Sequence, residues 1–289
     1  MPDQFLTTTE GVSAVKLSTV RLGRNRTAAA RLHKKHCVLL PYPDVGALIA
    51  SGDGWWDRAG ADIGERHRLD DVSYAPLIVR PGKMVAVGLN YAVRARELGC
   101  PVPAAPEFSV RNDGHVVVGA DDDIRLPAEG QDVHCGVELG VVIGRRARDV
   151  TARSALSHVA GYTVVNDVAV RNGPERIPSV VVATVMGPAL ITTDDAPIGA
   201  RGLTMNCLVD GRVTQKANTS ELIFDVATVI AHVSSSVTLL PGDLITTGTP
   251  AGTGTSRKHE VPPRPGTQVI SVIKGVGEHR NIVMRPSSQ

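Results

Sequence analysis

The sequence predicts an α+β protein in which strands dominate and helices are the minority. Aromatic residues make up only 3% of the chain, 29 glycines and 19 prolines punctuate it, and Val-rich runs of strand length recur between them. With 289 residues, 42% of them hydrophobic and 21% charged, the chain can build one large core with a smaller domain attached.

Residues 1–76 read as a small N-terminal domain forming a layer of its own. It has short strands in "SAVKLSTVRLG" and "AAARLHKKHCVLL" and a helical piece in "YPDVGALIASGDGWW", and its boundary lies near Pro76. Residues 77–289 form the main domain. Its strands fall in "KMVAVGL", "HVVVGADDDIRLP", "VELGVVIG", "GYTVVNDVAV", "PALITTDD", "LTMNCLVDGRVTQ", "DLITTGTPAG" and "TQVISVIKGVGEHRNIVM", with Asp210-Gly211 as a hairpin turn. Two helices interrupt them. "YAVRARELG" closes at Gly99, a left-handed terminator. "NTSELIFDVATVIAHVSSSV" carries Leu222, Ile223, Val226, Val229 and Ile230 at helical spacing, a core-facing stripe.

Lys and Arg number 31 against 29 acidic residues, a net charge of +2, which gives no nucleic-acid footprint. The basic stretch "RLGRNRTAAARLHKKH" has no interleaved aromatics and reads as solvated surface. Neither a leader pattern nor an apolar run of about 18 residues is present, so no membrane partner and a cytoplasmic location are expected. Cys37, Cys100, Cys135 and Cys207 lie far apart without CxxC spacing and read as buried free thiols.

Chemistry concentrates in a few places. In "HCGVELGVVIG", strand alternation puts His134, Gly136 and Glu138 on one face and Cys135, Val137 and Leu139 on the other. A hard-cation site would want a second carboxylate two residues from Glu138, and that position is Gly136. Asp167, at the end of the apolar "GYTVV" strand, is a turn former or a ligand. Arg94 and Glu97 stand three apart on one helix face, the spacing of an ion pair. "GTPAGTGT" lacks phosphate-loop spacing; its glycines let backbone N–H groups approach a ligand, or simply make a turn.

From Lys83 to Met284 these segments stand in a telling order. "GLNY" (88–91), "HCGVELGVVIG" (134–144), "GYTVVNDVAVR" (161–171), "NTSELIF" (218–224) and "LLPGDLITTGTPAGTG" (239–254) together resemble the fumarylacetoacetate hydrolase superfamily. The resemblance implies a mixed β-roll around a central pocket, a small N-terminal domain and a homodimer. It also implies Mg²⁺ or Mn²⁺ held by two Glu and one Asp, which polarises the oxygens of an oxo acid or diketone. A His and a Glu on a short lid helix would activate water, and a Lys further on would steady oxyanion charge.

The chain departs from that pattern at three positions. Glu138 and Asp167 keep two metal-ligand positions, but Gly136 stands at the third, so the site is vestigial and metal is absent or weakly bound. Arg94 replaces the lid-helix His and cannot accept a proton. The position of the Lys is Pro178, with Arg176 a candidate displaced cation.

These replacements point to a repurposed enzyme. It would bind a small carbonyl-bearing metabolite, a 2-oxo acid or β-dicarbonyl, and catalyse proton transfer, cyclisation, dehydration or C–C bond reorganisation with weak or no metal dependence. Arg94 would serve as the cation and Glu97 or Glu138 as acid/base, with burial raising a pocket carboxylate's pKa. Asn90, Tyr91, Gln215, Thr249 and Gly252 would contact substrate. Two alternatives stand beside this: a pseudoenzyme that binds a ligand or pairs with an intact paralogue, and a slow metal-dependent acylpyruvate-type hydrolase or oxaloacetate decarboxylase.

Overall fold

The computed structural model describes residues 15–23, 26–111, 115–126, 132–171, 180–253 and 263–285. The strands are β1 (Lys16–Arg21), β2 (Thr27–Leu32), β3 (His36–Leu39), β4 (Arg66–Arg68), β5 (Met84–Val87), β6 (Phe108–Arg111), β7 (Val117–Val118) and β8 (Ile124–Arg125). They continue with β9 (Asp132–Ile143), β10 (Val159–Arg171), β11 (Val180–Thr192), β12 (Thr204–Val209), β13 (Arg212–Asn218), β14 (Leu244–Thr246), β15 (Gln268–Ile273) and β16 (Gly277–Met284). Helices are α1 (Val45–Ala50), α2 (Trp55–Gly60), α3 (Ala92–Leu98), α4 (Ala152–Ala155) and α5 (Val226–Ser236).

An 11-stranded mixed sheet runs β4-β3-β2-β1-β11-β10-β9-β14-β5-β6, with β7 beside β11, and a 5-stranded sheet runs β13-β12-β15-β16-β8. The strand-dominated α+β architecture is therefore the one the composition predicts. Long antiparallel β9, β10 and β11 form the spine, and their register sets Gly136 opposite Asp167 and Asp167 opposite Thr184.

Alternation along β9 organises everything around it. Its odd residues, Cys135 through Ile143, pack into the apolar cluster shared with β12, β15 and α5. Its even face divides in two. His134, Gly136 and Glu138 line a cavity, whereas Val142 joins Val165 of β10, Leu17 of β1 and Leu48 and Ile49 of α1 in a second apolar cluster. The N-terminal strands and α1 thus cover one end of the face whose other end is the site.

That placement corrects the expectation of a separate layer over residues 1–76. β1 pairs with β11 from Lys16↔Ile191 to Ser18↔Ala189, so the described N-terminal strands extend the main sheet and share its core. A bidentate ion pair from Arg21 to Asp122, at 2.6 and 2.7 Å, adds a tie across the supposed boundary.

The helix expected over 218–237 is shorter. Asn218 starts a 3₁₀ turn, Leu222 bridges to Tyr91, and α5 begins only after Asp225, whose carboxylate caps the Thr228 N–H at 2.8 Å. Leu222 and Ile223 continued the apolar period without belonging to the helix. Gly99, at φ +69°, ends α3 as predicted, and Asp210-Gly211, both at positive φ, turns β12 into β13. The four cysteines are free. Among the described residues no helix is long and apolar enough to cross a membrane.

Fully buried His279 on β16 bonds Asn281 Oδ1 through Nδ1 at 2.8 Å, and burial pushes its pKa down to about 4. Between that value and about 6.5 the unfolded chain holds a proton that the folded chain does not, so the stability this group confers is present above 6.5 and lost as pH falls through 4. From pH 7 to pH 5 the loss should be about 2 kcal/mol. Urea unfolding at the two pH values should show that component in the native chain and not in His279→Gln; an identical pH slope in both would contradict it.

Candidate active site

A cavity of about 980 Å³ opens on the even face of β9. Its floor is His134, Gly136 and Glu138 of β9 with Asp167 and Ala169 of β10. Arg94 and Leu98 of α3 close one wall, Ser109 and Arg111 of β6 another, and Thr249 and Thr253 of the glycine-rich turn stand at the rim.

The glycine-rich turn directs its backbone donors at carboxylates of the protein itself. Gly248, at φ +93°, donates its N–H to Glu138 Oε2 at 2.8 Å, and Gly252, at φ +99°, donates to Glu97 Oε1 at 3.0 Å. A Cβ at Gly252 would lie 2.0 Å from the Thr214 carbonyl oxygen, so no other residue fits there. Glu97 accepts from Arg94 on its other oxygen, so the ion pair expected on α3 exists and clamps that helix to the turn. Both side chains are largely buried.

Asp167 sits in a network that sequence reasoning missed. Arg111 forks it, Nη1 donating to Oδ1 at 2.9 Å and Nη2 donating to Oδ2. Thr184, beside Asp167 in the sheet, donates its hydroxyl to Oδ1 at 2.6 Å and accepts from Arg111 Nη1 at 2.8 Å and His115 Nε2 at 2.9 Å. One donor and two acceptor lone pairs make that hydroxyl saturated. The ion pair is 12% and 10% exposed, far drier than a surface pair. β6 offered only "FSVR" between turns, and Arg111 reaches an acid 56 residues away. Its signal was a basic residue closing a short strand.

Glu138, 5% exposed, has its pKa pushed up to about 8. Burial is the main cause and the Asp167 charge adds to it; Arg111 and the Gly248 N–H pull the other way. The upward direction is the one burial imposes on a carboxylate in such a pocket. His134, the other polar side chain that this strand turns to the cavity, bonds the Thr253 carbonyl through Nδ1 at 2.8 Å.

Thr249 lines the cavity, but four of the five residues expected to contact substrate sit behind its wall. Asn90 donates Nδ2 to the Phe224 and Thr247 carbonyls and accepts the Phe224 N–H, tying "GLNY" to "NTSELIF". Tyr91 is buried with its hydroxyl on Met205 Sδ. Gln215 accepts the Val137 N–H and donates to Thr249 Oγ1 and the Pro250 carbonyl, fixing the turn against β9. Gly252 is engaged with Glu97. These residues position the site. Pro178 and Arg176 lie outside the described residues.

The donor set does not fit a divalent cation of the three-carboxylate kind. Gly136 supplies no side chain, and a Cβ there would lie 2.8 Å from Thr249 Oγ1. Arg111 holds both oxygens of Asp167, and among the described residues no three His, Cys, Asp or Glu side chains converge on one point.

A family model for the fumarylacetoacetate (FAA) hydrolase C-terminal domain matches residues 83–284. The chain belongs to the fumarylacetoacetate hydrolase family. Its relatives include the mitochondrial oxaloacetate tautomerase FAHD2A of Bos taurus, 40% identical over 215 residues that span 72% of this chain and 68% of that protein. The mitochondrial oxaloacetate decarboxylase of Dictyostelium discoideum is 35% identical over 202 residues, covering 67% and 89%. Among solved structures, maleylpyruvate hydrolase from Sphingobium sp. SYK-6, in complex with manganese (II) ion and pyruvate, superposes with a TM-score of 0.76 at 27% identity, covering 94% of this chain and 100% of that one. These family members are enzymes of small metabolites, and the chain shares its fold with the last of them.

Asn90 makes three hydrogen bonds in full burial, so Asn90→Ala should destabilise the fold by roughly 2–4 kcal/mol, the cost of stranding buried partners. Urea denaturation measures this. A change under about 0.5 kcal/mol, the range of a neutral surface substitution, would show that these bonds do not brace the site.

Proposed function

We propose that this protein interconverts the keto and enol forms of a small 2-oxo acid of the oxaloacetate class, with Glu138 carrying the proton. The observation behind the reading is a buried carboxylate that faces the cavity, close to the fixed positive charge of Arg111, with its protonation poised near neutral pH. A general acid or base works best when its pKa lies near the working pH.

In the keto-to-enol direction Glu138 takes the proton from the carbon beside the oxo group, and that C–H electron pair forms the new C=C bond. The C=O electron pair moves to the oxygen, which takes up a proton from water, and Glu138 returns its own proton to water so that the site is reset. The reverse returns the proton from Glu138 to carbon and releases the enol proton. Electrons stay within the substrate, and no co-reactant is needed. Arginine at position 94, where a water-activating His would stand in a hydrolase, favours this chemistry over hydrolysis: a guanidinium cannot take a proton from water. The kinship with oxaloacetate tautomerases supports the same choice.

The test is ultraviolet monitoring of enol-oxaloacetate decay in chelated buffer, with acylpyruvate cleavage followed in parallel. The native chain should accelerate tautomerisation and leave acylpyruvates intact, and Glu138→Gln should lose roughly 10²- to 10⁴-fold in rate, the usual worth of a positioned acid/base. Full activity in Glu138→Gln, or acylpyruvate cleavage without tautomerisation, would overturn the reading.

A further inference from the structure

A developing enolate, like the carboxylate of a 2-oxo acid, needs positive charge beside it. The residues present do not assemble a three-carboxylate cation site, because Gly136 contributes nothing and Asp167 is forked by Arg111. Positive charge is nevertheless fixed at that spot. Arg111 enters from β6, at the far edge of the sheet, and lays its guanidinium on the retained acid of β10.

We infer that Arg111 is the resident cation of this site and receives the substrate's oxygens in place of a metal ion. The inference rests on the oxo-acid reading above. A guanidinium has five N–H donors in a fixed fork. Three are engaged among the described residues, two by the Asp167 oxygens and one by Thr184. Two therefore remain for a ligand, and a planar pair of N–H groups matches a carboxylate or an oxo-enolate edge. Asp167 then acts as a positioning residue: it pins the guanidinium and offsets part of its charge, and Thr184 fixes the plane. Gly136 takes on a meaning in the same frame. With no side chain it keeps the cross-strand neighbour position of Asp167 open, where an acid would meet Thr249 and compete for the guanidinium.

The test is calorimetric and needs no turnover, so its outcome is separable from that of the tautomerase assay. Oxalate, a flat dianion shaped like the enolate of pyruvate, is titrated into the native chain in EDTA, and Mn²⁺ is titrated into a chelator-treated sample. Oxalate should bind in EDTA, and Mn²⁺ should show no stoichiometric site. Arg111→Met should weaken oxalate roughly 10- to 100-fold, the scale of lost charged hydrogen bonds, and Arg111→Lys should recover part of it. Removing one partner of a buried pair can unfold a protein. The neutral double variant Arg111→Met with Asp167→Asn is therefore measured alongside, with a cooperative melt as the check of folding. One equivalent of Mn²⁺ bound at micromolar strength, oxalate binding that appears only with Mn²⁺, no oxalate binding at all, or undiminished oxalate binding in folded variants lacking Arg111 would each overturn the inference.

Discussion

Two carboxylates on one dry sheet face repel each other and lose hydration, so they persist side by side only if something positive stands between them or one keeps its proton. Glu138 and Asp167 meet that constraint in both ways. Arg111 neutralises Asp167 through a fork, and Glu138 is left with a pKa raised to about 8. The division of roles follows: one acid is pinned as the counter-ion of a guanidinium, and the other is left able to exchange a proton near neutral pH.

The rest of the molecule holds these groups in register. β9 contributes cavity residues at one end of its even face and core residues at the other, so the N-terminal strands and α1 pack beside the site on the same face instead of forming a detached unit. Asn166, next to Asp167, accepts the Gly136 N–H at 3.1 Å and donates to Ser271 Oγ at 2.7 Å, joining the two sheets beneath the cavity. The glycine-rich turn is anchored by Gln215 and tied to both Glu138 and Glu97 through backbone N–H groups. A shift of the turn would therefore move the proton carrier and the α3 wall together.

Much of this was legible in the sequence because it depends on local period and backbone chemistry. Alternation in "HCGVELGVVIG" identified the cavity face, and the missing side chain at Gly136 can be read directly from the sequence. Gly99 and Asp210-Gly211 marked an end and a turn through their left-handed conformations. Contacts between distant segments were illegible. Arg111 carries no motif, sits on a four-residue strand, and matters only because the sheet curls to bring β6 over β10. Asn90 sits in a motif that suggested substrate contact and Gln215 was expected to make it too, yet the Asn90 amide is engaged with backbone and the Gln215 amide with backbone and the Thr249 hydroxyl, a distinction that depends on partners far along the chain. Leu222 and Ile223 extended a helical period into a segment whose backbone turns at Asn218 and Asp225.

The central claim is that a guanidinium does here what a metal ion would otherwise do, and a crystal structure grown with both Mn²⁺ and oxalate tests it most directly. The account predicts oxalate seated on the N–H edge of Arg111, the Arg111–Asp167 fork intact, and no manganese anomalous peak between Glu138 and Asp167. A manganese peak bridging those two carboxylates, with Arg111 swung away from Asp167, would contradict it.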